Sequence, residues 1–270
     1  MQKSIQLADV SKRIRATIIS TCFRRKGGHL ASSLSAVEIF YALLTTQTNL
    51  LSQHDRTDRL IISSCQCALA FYATLLELSK LTQSDLDGFL SEENGTLGMF
   101  PRAGIPASDY TAGSLGHGIS FGVGIALYRK RKQLPGSVFI FVGDGELQEG
   151  ENWEALMAAS HYNLTNIVVL VNLNHVQISG ATSDVMHLGD VYEKFHAFGW
   201  DAKRANGHSI EDIRANLTKK QQTDWPTAIF CETVKGNGTK TTKSDPTWHY
   251  RVPNADEYRI LLSELHKEVA

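Results

Sequence analysis

The sequence predicts an α/β chain, doubly wound, with a mainly parallel sheet flanked by helices, and three observations carry that expectation. First, four short runs, "RLIIS" (59–63), "SVFIFV" (137–142), "NIVVLVN" (166–172) and "TAIFCETV" (227–234), are largely apolar without alternation. A strand with one wet face alternates polar and apolar residues, whereas runs of this kind are buried on both faces, as in a parallel sheet covered by helices. Second, helix-period segments precede or follow three of these runs. Third, 42% of the 270 residues are hydrophobic and no internal repeat divides them, so residues 1–270 read as a single large domain.

In chain order, residues 9–25 carry a helical pattern, "GGH" at 27–29 breaks it, and "SAVEIFYALL" (35–44) resumes an apolar helix. The stretch 91–118 is rich in Gly and Pro and reads as a long loop. After the second apolar run, "EGENWEALMAASHYNL" predicts a helix starting near Glu149, with Trp153, Leu156 and Met157 on one face and Leu164 continuing it. A second long loop, 235–254, is rich in Gly, Lys and Thr, and its lysines at 235–243 read as a solvated surface. Loops this long in one domain are either functional or disordered. An amphipathic helix is expected at 255–269.

Composition excludes some classes. With 27 basic against 28 acidic residues and a formal net charge of -1, neither a nucleic-acid nor a membrane-surface partner is expected. No apolar run reaches the roughly 18 residues of a spanning helix, and the N-terminus lacks an apolar signal core, so the expected location is cytoplasmic. The cysteines Cys22, Cys65, Cys67 and Cys231 are scattered, and the close pair Cys65 and Cys67 has no second pair to complete a zinc site. They are expected to be reduced and mostly buried.

The chemistry concentrates in "FVGDGELQEG" (141–150), where Asp144 sits between two glycines at the tip of a buried strand. A carboxylate there is costly unless a cation meets it. In an open parallel sheet, ligands sit at the carboxyl ends of the strands. Gly143 and Gly145 let a ligand approach the backbone, and the N-terminus of the following helix favours an anion. The next strand ends in "VNLNHVQISG", placing Asn172 and Asn174 beside Asp144 if the strands are neighbours. A carboxylate, an amide oxygen and a backbone carbonyl form a hard oxygen set suited to Mg²⁺ that is also held by phosphates. A dinucleotide site competes, but "GDGELQEG" lacks the G-x-G-x-x-G spacing and puts an acid inside the turn.

These residues resemble a known family. "GDGELQEGENWEALMAASHYNLTNIVVLVNLNHVQISG" (143–180) looks like the thiamine diphosphate motif of transketolases, specifically those split into two polypeptides. The likeness extends through "KGGHLASSLSAVEIFYAL" (26–43), "DRLIIS" (58–63), "GSLGHGIS" (113–120), "VKGNG" (234–238) and "DPTWH" (245–249), which is nearly the whole chain. By this resemblance, Asp144, Asn174 and the Val176 carbonyl hold Mg²⁺. Gly143, Asp144, Gly145, Glu149, Asn174, Gly116 and His117 serve thiamine diphosphate, with Glu149 also beside the subunit interface. His29, His117 and His249 line the cofactor and substrate channel as catalytic residues. Where the family usually reads "SKGHAA", this chain has "SSCQCA" (63–68), so Gln66 replaces a histidine in that catalytic set.

The implied activity is transfer of a two-carbon ketol unit from a ketose to an aldehyde acceptor, the substrates being sugars or sugar phosphates. The glutamate that faces the aminopyrimidine ring in this family belongs to a second domain, so a partner chain carrying the pyrimidine-binding and C-terminal domains is expected, in a heterotetramer of two chains each. Two alternatives remain at this level: the α-type subunit of a 2-oxo acid dehydrogenase, and a non-catalytic protein descended from a transketolase half.

Overall fold

The computed structural model describes residues 2–92, 95–219 and 224–267. The chain opens with three helices, α1 (Gln2–Arg25), α2 (Leu30–Ser35) and α3 (Val37–Thr46). Strand β1 (Arg59–Ile62) follows, then α4 (Ala68–Glu77), α5 (Gln83–Asp87) and, beyond the long loop, α6 (His117–Arg131). The central βαβ unit is β2 (Val138–Gly143), α7 (Gly150–His161) and β3 (Ile167–Leu173). A small hairpin of β4 (Val176–Gln177) and β5 (Gly180–Ala181) leads to α8 (Thr182–Val185) and α9 (Val191–Ala197). The chain continues through β6 (Asp201–Asn206), α10 (Ile210–Lys219), β7 (Thr227–Glu232) and α11 (Ala255–Lys267).

The main sheet has the order β1-β2-β3-β7-β6, and every neighbouring pair in it is parallel. Side chains alternate across its plane as the pleat requires. Phe139 and Phe141 face a core built with α1, α3 and α4, while Val138, Ile140 and Val142 face a second core built with α6 and α7. Burial on both faces accounts for the continuous apolar runs in the sequence, and the two cores make the domain doubly wound.

The four apolar runs become β1, β2, β3 and β7. The fifth strand, β6, was not anticipated, because "DAKRAN" is polar. It lies at the sheet edge beside β7, and its side chains alternate between buried and open positions, which is how an edge strand carries charge without desolvating it. On α7, Leu156 is buried as expected but Met157 is 51% exposed, and the packed face is completed by Ala155 and Ala159 instead. In α11, the predicted end at 268–269 lies outside the described residues. Glycine is required where α6 crosses the sheet: a Cβ on Gly118 would stand 2.2 Å from the Ser63 Cβ.

Because the strands are parallel, the carboxyl ends of β1, β2, β3 and β7 open on one edge. They deliver Ser63 to Gln66, Asp144, Asn174 and Lys235 to that edge from four distant parts of the sequence.

Candidate active site

A cavity of about 230 Å³ lies at this edge, lined among others by Gln66, Asp144, Glu146, Asn174, Lys235 and His249. Asp144 is 8% exposed and accepts two backbone N–H groups, from Gly145 at 2.8 Å and from His175 at 2.5 Å. Burial raises its pKa, and these two bonds offset that only in part. The His175 contact depends on a turn in which His175 takes φ +61°, a left-handed conformation uncommon outside glycine. Asn174 closes the same turn, its Oδ1 accepting the Val176 N–H at 3.0 Å.

Asn172 has a different role. Its amide bonds Ser35 Oγ at 3.0 Å and its oxygen accepts from Thr233 at 2.6 Å, so it ties α2 and the end of β7 to β3, while Asn174 is the residue left near Asp144.

Gln66 stands on a short 3-10 turn between β1 and α4. Its Oε1 accepts from Ser64 Oγ at 3.2 Å. The flanking Cys65 and Cys67 are buried, and burial pushes both thiols up to about 12, which keeps them protonated and inert. All four cysteines are free and buried.

His249 and His29 pack edge to face with centroids 5.2 Å apart, and Tyr250 lies 4.8 Å from the His29 ring. Burial, helped by the nearby Lys235, lowers His29 to about 4 and His249 to about 3. Both rings are therefore neutral at physiological pH.

The structure does not bring His117 to this group. It begins α6 with a side chain 54% exposed, 3.5 Å from Glu151, and is absent from the cavity lining. Glu149, the N-cap of α7, is likewise exposed and outside the lining. A 3-10 turn over Gly145–Gln148 stands between the tip of β2 and α7, and the helix starts at Gly150 with Glu149 as its N-cap, as the sequence predicts. Gly116, with φ +91°, packs where any Cβ would come 2.7 Å from that of Glu149.

Two residues of the site escaped the sequence reading. Glu146 is 2% exposed and accepts from Ser63 Oγ, from Gly116 N at 2.9 Å and from Gly143 N at 3.2 Å. It joins the end of β1, the loop before α6 and the end of β2, and burial raises its pKa despite these donors. Its signal was a second acid two residues after Asp144. Lys235 corrects the expectation of a solvated lysine loop: it is 2% exposed, and its Nζ contacts the Val176 carbonyl at 2.9 Å and His249 Nδ1 at 3.0 Å. Its position directly after β7 was the available clue.

Known proteins resemble this chain along nearly its full length. An apulose-4-phosphate transketolase subunit of Phocaeicola vulgatus is 30% identical over 263 residues, covering 96% of this chain and 93% of that protein. Human transketolase is 31% identical over 274 residues, covering 99% of this chain and 43% of that protein. Among solved structures, transketolase from Leishmania mexicana matches with a TM-score of 0.84 at 22% identity, over 96% of this chain and 41% of that one, a likeness of fold. The chain thus spans about two fifths of those two transketolases. Residues 7–265 match the family described as "Transketolase, thiamine diphosphate binding domain", and to that family this chain belongs.

Proposed function

We propose that this chain is the thiamine diphosphate-binding subunit of a two-chain transketolase, a transferase that moves a two-carbon ketol unit from a ketose donor to an aldehyde acceptor. The observation that carries the reading is Asp144: a buried carboxylate with no ion-pair partner among the described residues, at the carboxyl end of a parallel sheet. Asn174, Val176 and Gln177 line the same cavity, and the Gln177 Oε1 is buried without a hydrogen-bond partner among the described residues. Hard, oxygen-only donors of this kind fit Mg²⁺ rather than a soft metal. Asp144 and Asn174 would hold the ion, with the second lone pair of the Val176 carbonyl available to it. The backbone of Gly143 and Gly145 would face the diphosphate.

Bound thiamine diphosphate supplies the carbon nucleophile and electron sink. The protein groups at the cavity orient and exclude: His249, His29 and Gln66 direct substrate oxygens, and Glu146 holds three loops in place. His117 and Glu149 belong, in this reading, to the surface that a partner covers. Ile178, which lines the cavity yet is 54% exposed, supports such a cover. The partner would carry the pyrimidine-binding side, in a heterotetramer, and the naming of the P. vulgatus relative as one subunit of its enzyme supports a second chain. The phosphate in that name supports a phosphorylated sugar substrate. No described helix is long and apolar enough to cross a membrane, and four unpaired cysteines support a cytoplasmic setting.

The test is ketol transfer by the purified chain with and without the partner polypeptide. The expected result is activity only in the complex. Transfer by the chain alone would refute the split-site reading, and CO₂ release from a 2-oxo acid in place of ketol transfer would favour the dehydrogenase alternative.

A further inference from the structure

Helix α6 begins at a residue that cannot cap it. Its N-cap is Gly116, at φ +91° and without a side chain, so the donors of its first turn must be met from elsewhere. Two distant segments meet them. Ser63 Oγ, at the end of β1, accepts the Gly118 N–H at 3.1 Å and itself donates to Glu146 Oε1, and the same Oε1 accepts the Gly116 N–H at 2.9 Å. A capping box makes equivalent bonds with side chains of the helix's own first turn. Here they come from a serine 55 residues away and a glutamate 30 residues away. The other carboxylate oxygen, Oε2, accepts the Gly143 N–H at the tip of β2 at 3.2 Å, and the Glu146 backbone carbonyl accepts from Asn152 Nδ2 of α7 at 2.7 Å. A buried carboxylate is costly, and a leucine would fill the space without that cost. Three donors converging on two oxygens are what make a glutamate the fitting residue, because each would be left unsatisfied without it.

We infer that Glu146 is a positioning residue for the cofactor site: it clamps the start of α6 to the tip of β2 and occupies the N–H groups of Gly116 and Gly143, so that those two glycines meet the cofactor as close-packed backbone and not as hydrogen-bond donors. That the cofactor is thiamine diphosphate rests on the transketolase reading above; the clamp does not. Glu146 lines the cavity together with Leu115, Gly143 and Asp144, which are the groups it holds or their neighbours in sequence. Packing reinforces the bonds at both ends. A Cβ on Gly116 would stand 2.7 Å from the Glu149 Cβ, one on Gly118 2.2 Å from the Ser63 Cβ, and one on Gly143 3.1 Å from Ser64 Oγ. Ser64 Oγ in turn donates to Gln66 Oε1 at 3.2 Å, so the clamp also reaches the segment that carries Gln66.

Amide spectra of the full chain labelled with ¹⁵N-glycine test the clamp. The Gly116 and Gly143 protons are expected downfield and protected from exchange. Glu146→Gln, which replaces one acceptor oxygen by an NH₂ donor, is expected to release at least one of them. Wild-type amides of both glycines that exchange as freely as solvated ones overturn the proposal, whether or not any variant folds, as does a Glu146→Gln spectrum unchanged at both. Calorimetry on the assembled complex, with thiamine diphosphate and Mg²⁺, tests the positioning role. Glu146→Gln is expected to weaken cofactor binding by about 10- to 100-fold, the usual cost of losing a group behind the ligands, at a temperature where circular dichroism shows the variant folded. Unchanged affinity in a folded variant would leave Glu146 with a structural role alone and overturn the inference. Should Glu146→Gln not fold, Ser63→Ala carries the same test, since it removes one donor to the carboxylate and the acceptor for Gly118, with a loss expected toward the lower end of that range. A wild-type complex that binds no thiamine diphosphate would sink the functional reading while leaving the amide result standing.

Discussion

The carboxylate of Asp144 accepts the backbone N–H of His175 at 2.5 Å, so the tip of β2 and the turn after β3 are joined through the group proposed above as a metal ligand. Asp144 and Asn174 both line the cavity at this edge of the sheet. Removing the carboxylate takes away both a proposed metal ligand and an anchor of the turn that carries Asn174. Asp144→Ala is expected to weaken thiamine diphosphate binding to the assembled complex by at least about 100-fold, since loss even of a group behind the ligands costs 10- to 100-fold in metal affinity. Isothermal calorimetry with Mg²⁺ present reads the effect, and unchanged affinity would remove Asp144 from the site.

Gln66 gives a prediction about substrate preference. Its amide offers a fixed donor and acceptor and no usable pKa, where a histidine would titrate near neutrality. A lost general acid or base typically costs about 10² to 10⁴ in rate, so the native complex is expected to be slow on ordinary ketose phosphates, and Gln66→His is expected to raise kcat/KM on them by up to about 10²-fold. The measurement is kcat/KM for one standard ketose phosphate before and after the substitution. A native complex that already turns over such a donor at the rate of an ordinary transketolase would show the glutamine to be neutral.

Arg15 and Glu38 form a buried two-pronged ion pair, at 2.7 and 2.8 Å, linking α1 to α3. Burial alone would push Glu38 up, but the Arg15 charge and the hydrogen bonds from His208 and Arg15 outweigh it and hold the carboxyl at about 2. Breaking one side of such a pair strands the other. Arg15→Met is expected to destabilise the chain by about 3–5 kcal/mol, and Arg15→Met with Glu38→Leu to recover much of that loss. Urea unfolding decides, and equal stability of the single variant and wild type would contradict the burial argument.

The His29 and His249 pair sets a pH dependence. Both rings bind protons less readily folded, at about 4 and about 3, than at the ordinary value of 6.5. Unfolding therefore takes up protons as the pH drops below about 6.5. Stability from this pair is full above 6.5 and is progressively lost as pH falls toward 4 and then 3. Thermal midpoints compared between pH 7 and pH 5, above the range of ordinary carboxyl groups, are expected to fall in wild type and to fall less in a His29→Gln, His249→Gln double variant. Parallel slopes in the two proteins would assign the acid sensitivity elsewhere.

By itself the sequence determined the strands β1, β2, β3 and β7, their burial on both faces, and the placing of Asp144 and Asn174 at neighbouring strand ends. These are local consequences of apolar runs and turn glycines, and a parallel sheet translates them directly into one edge. It also carried the Gln66 departure, visible as a letter in a motif. Only the tertiary structure decided which polar residues belong to the cavity. His117 shares a glycine-flanked context with the site yet points away on α6, and Lys235 has the composition of a solvated loop yet is among the most buried side chains. Strand β6 hid for the same reason, since an edge position relaxes the demand for apolar residues. Burial, and with it the cost of a charge, depends on what packs from distant segments: Val176 and His249 meet Lys235 from opposite sides along the chain, and no spacing within any one segment encodes that meeting.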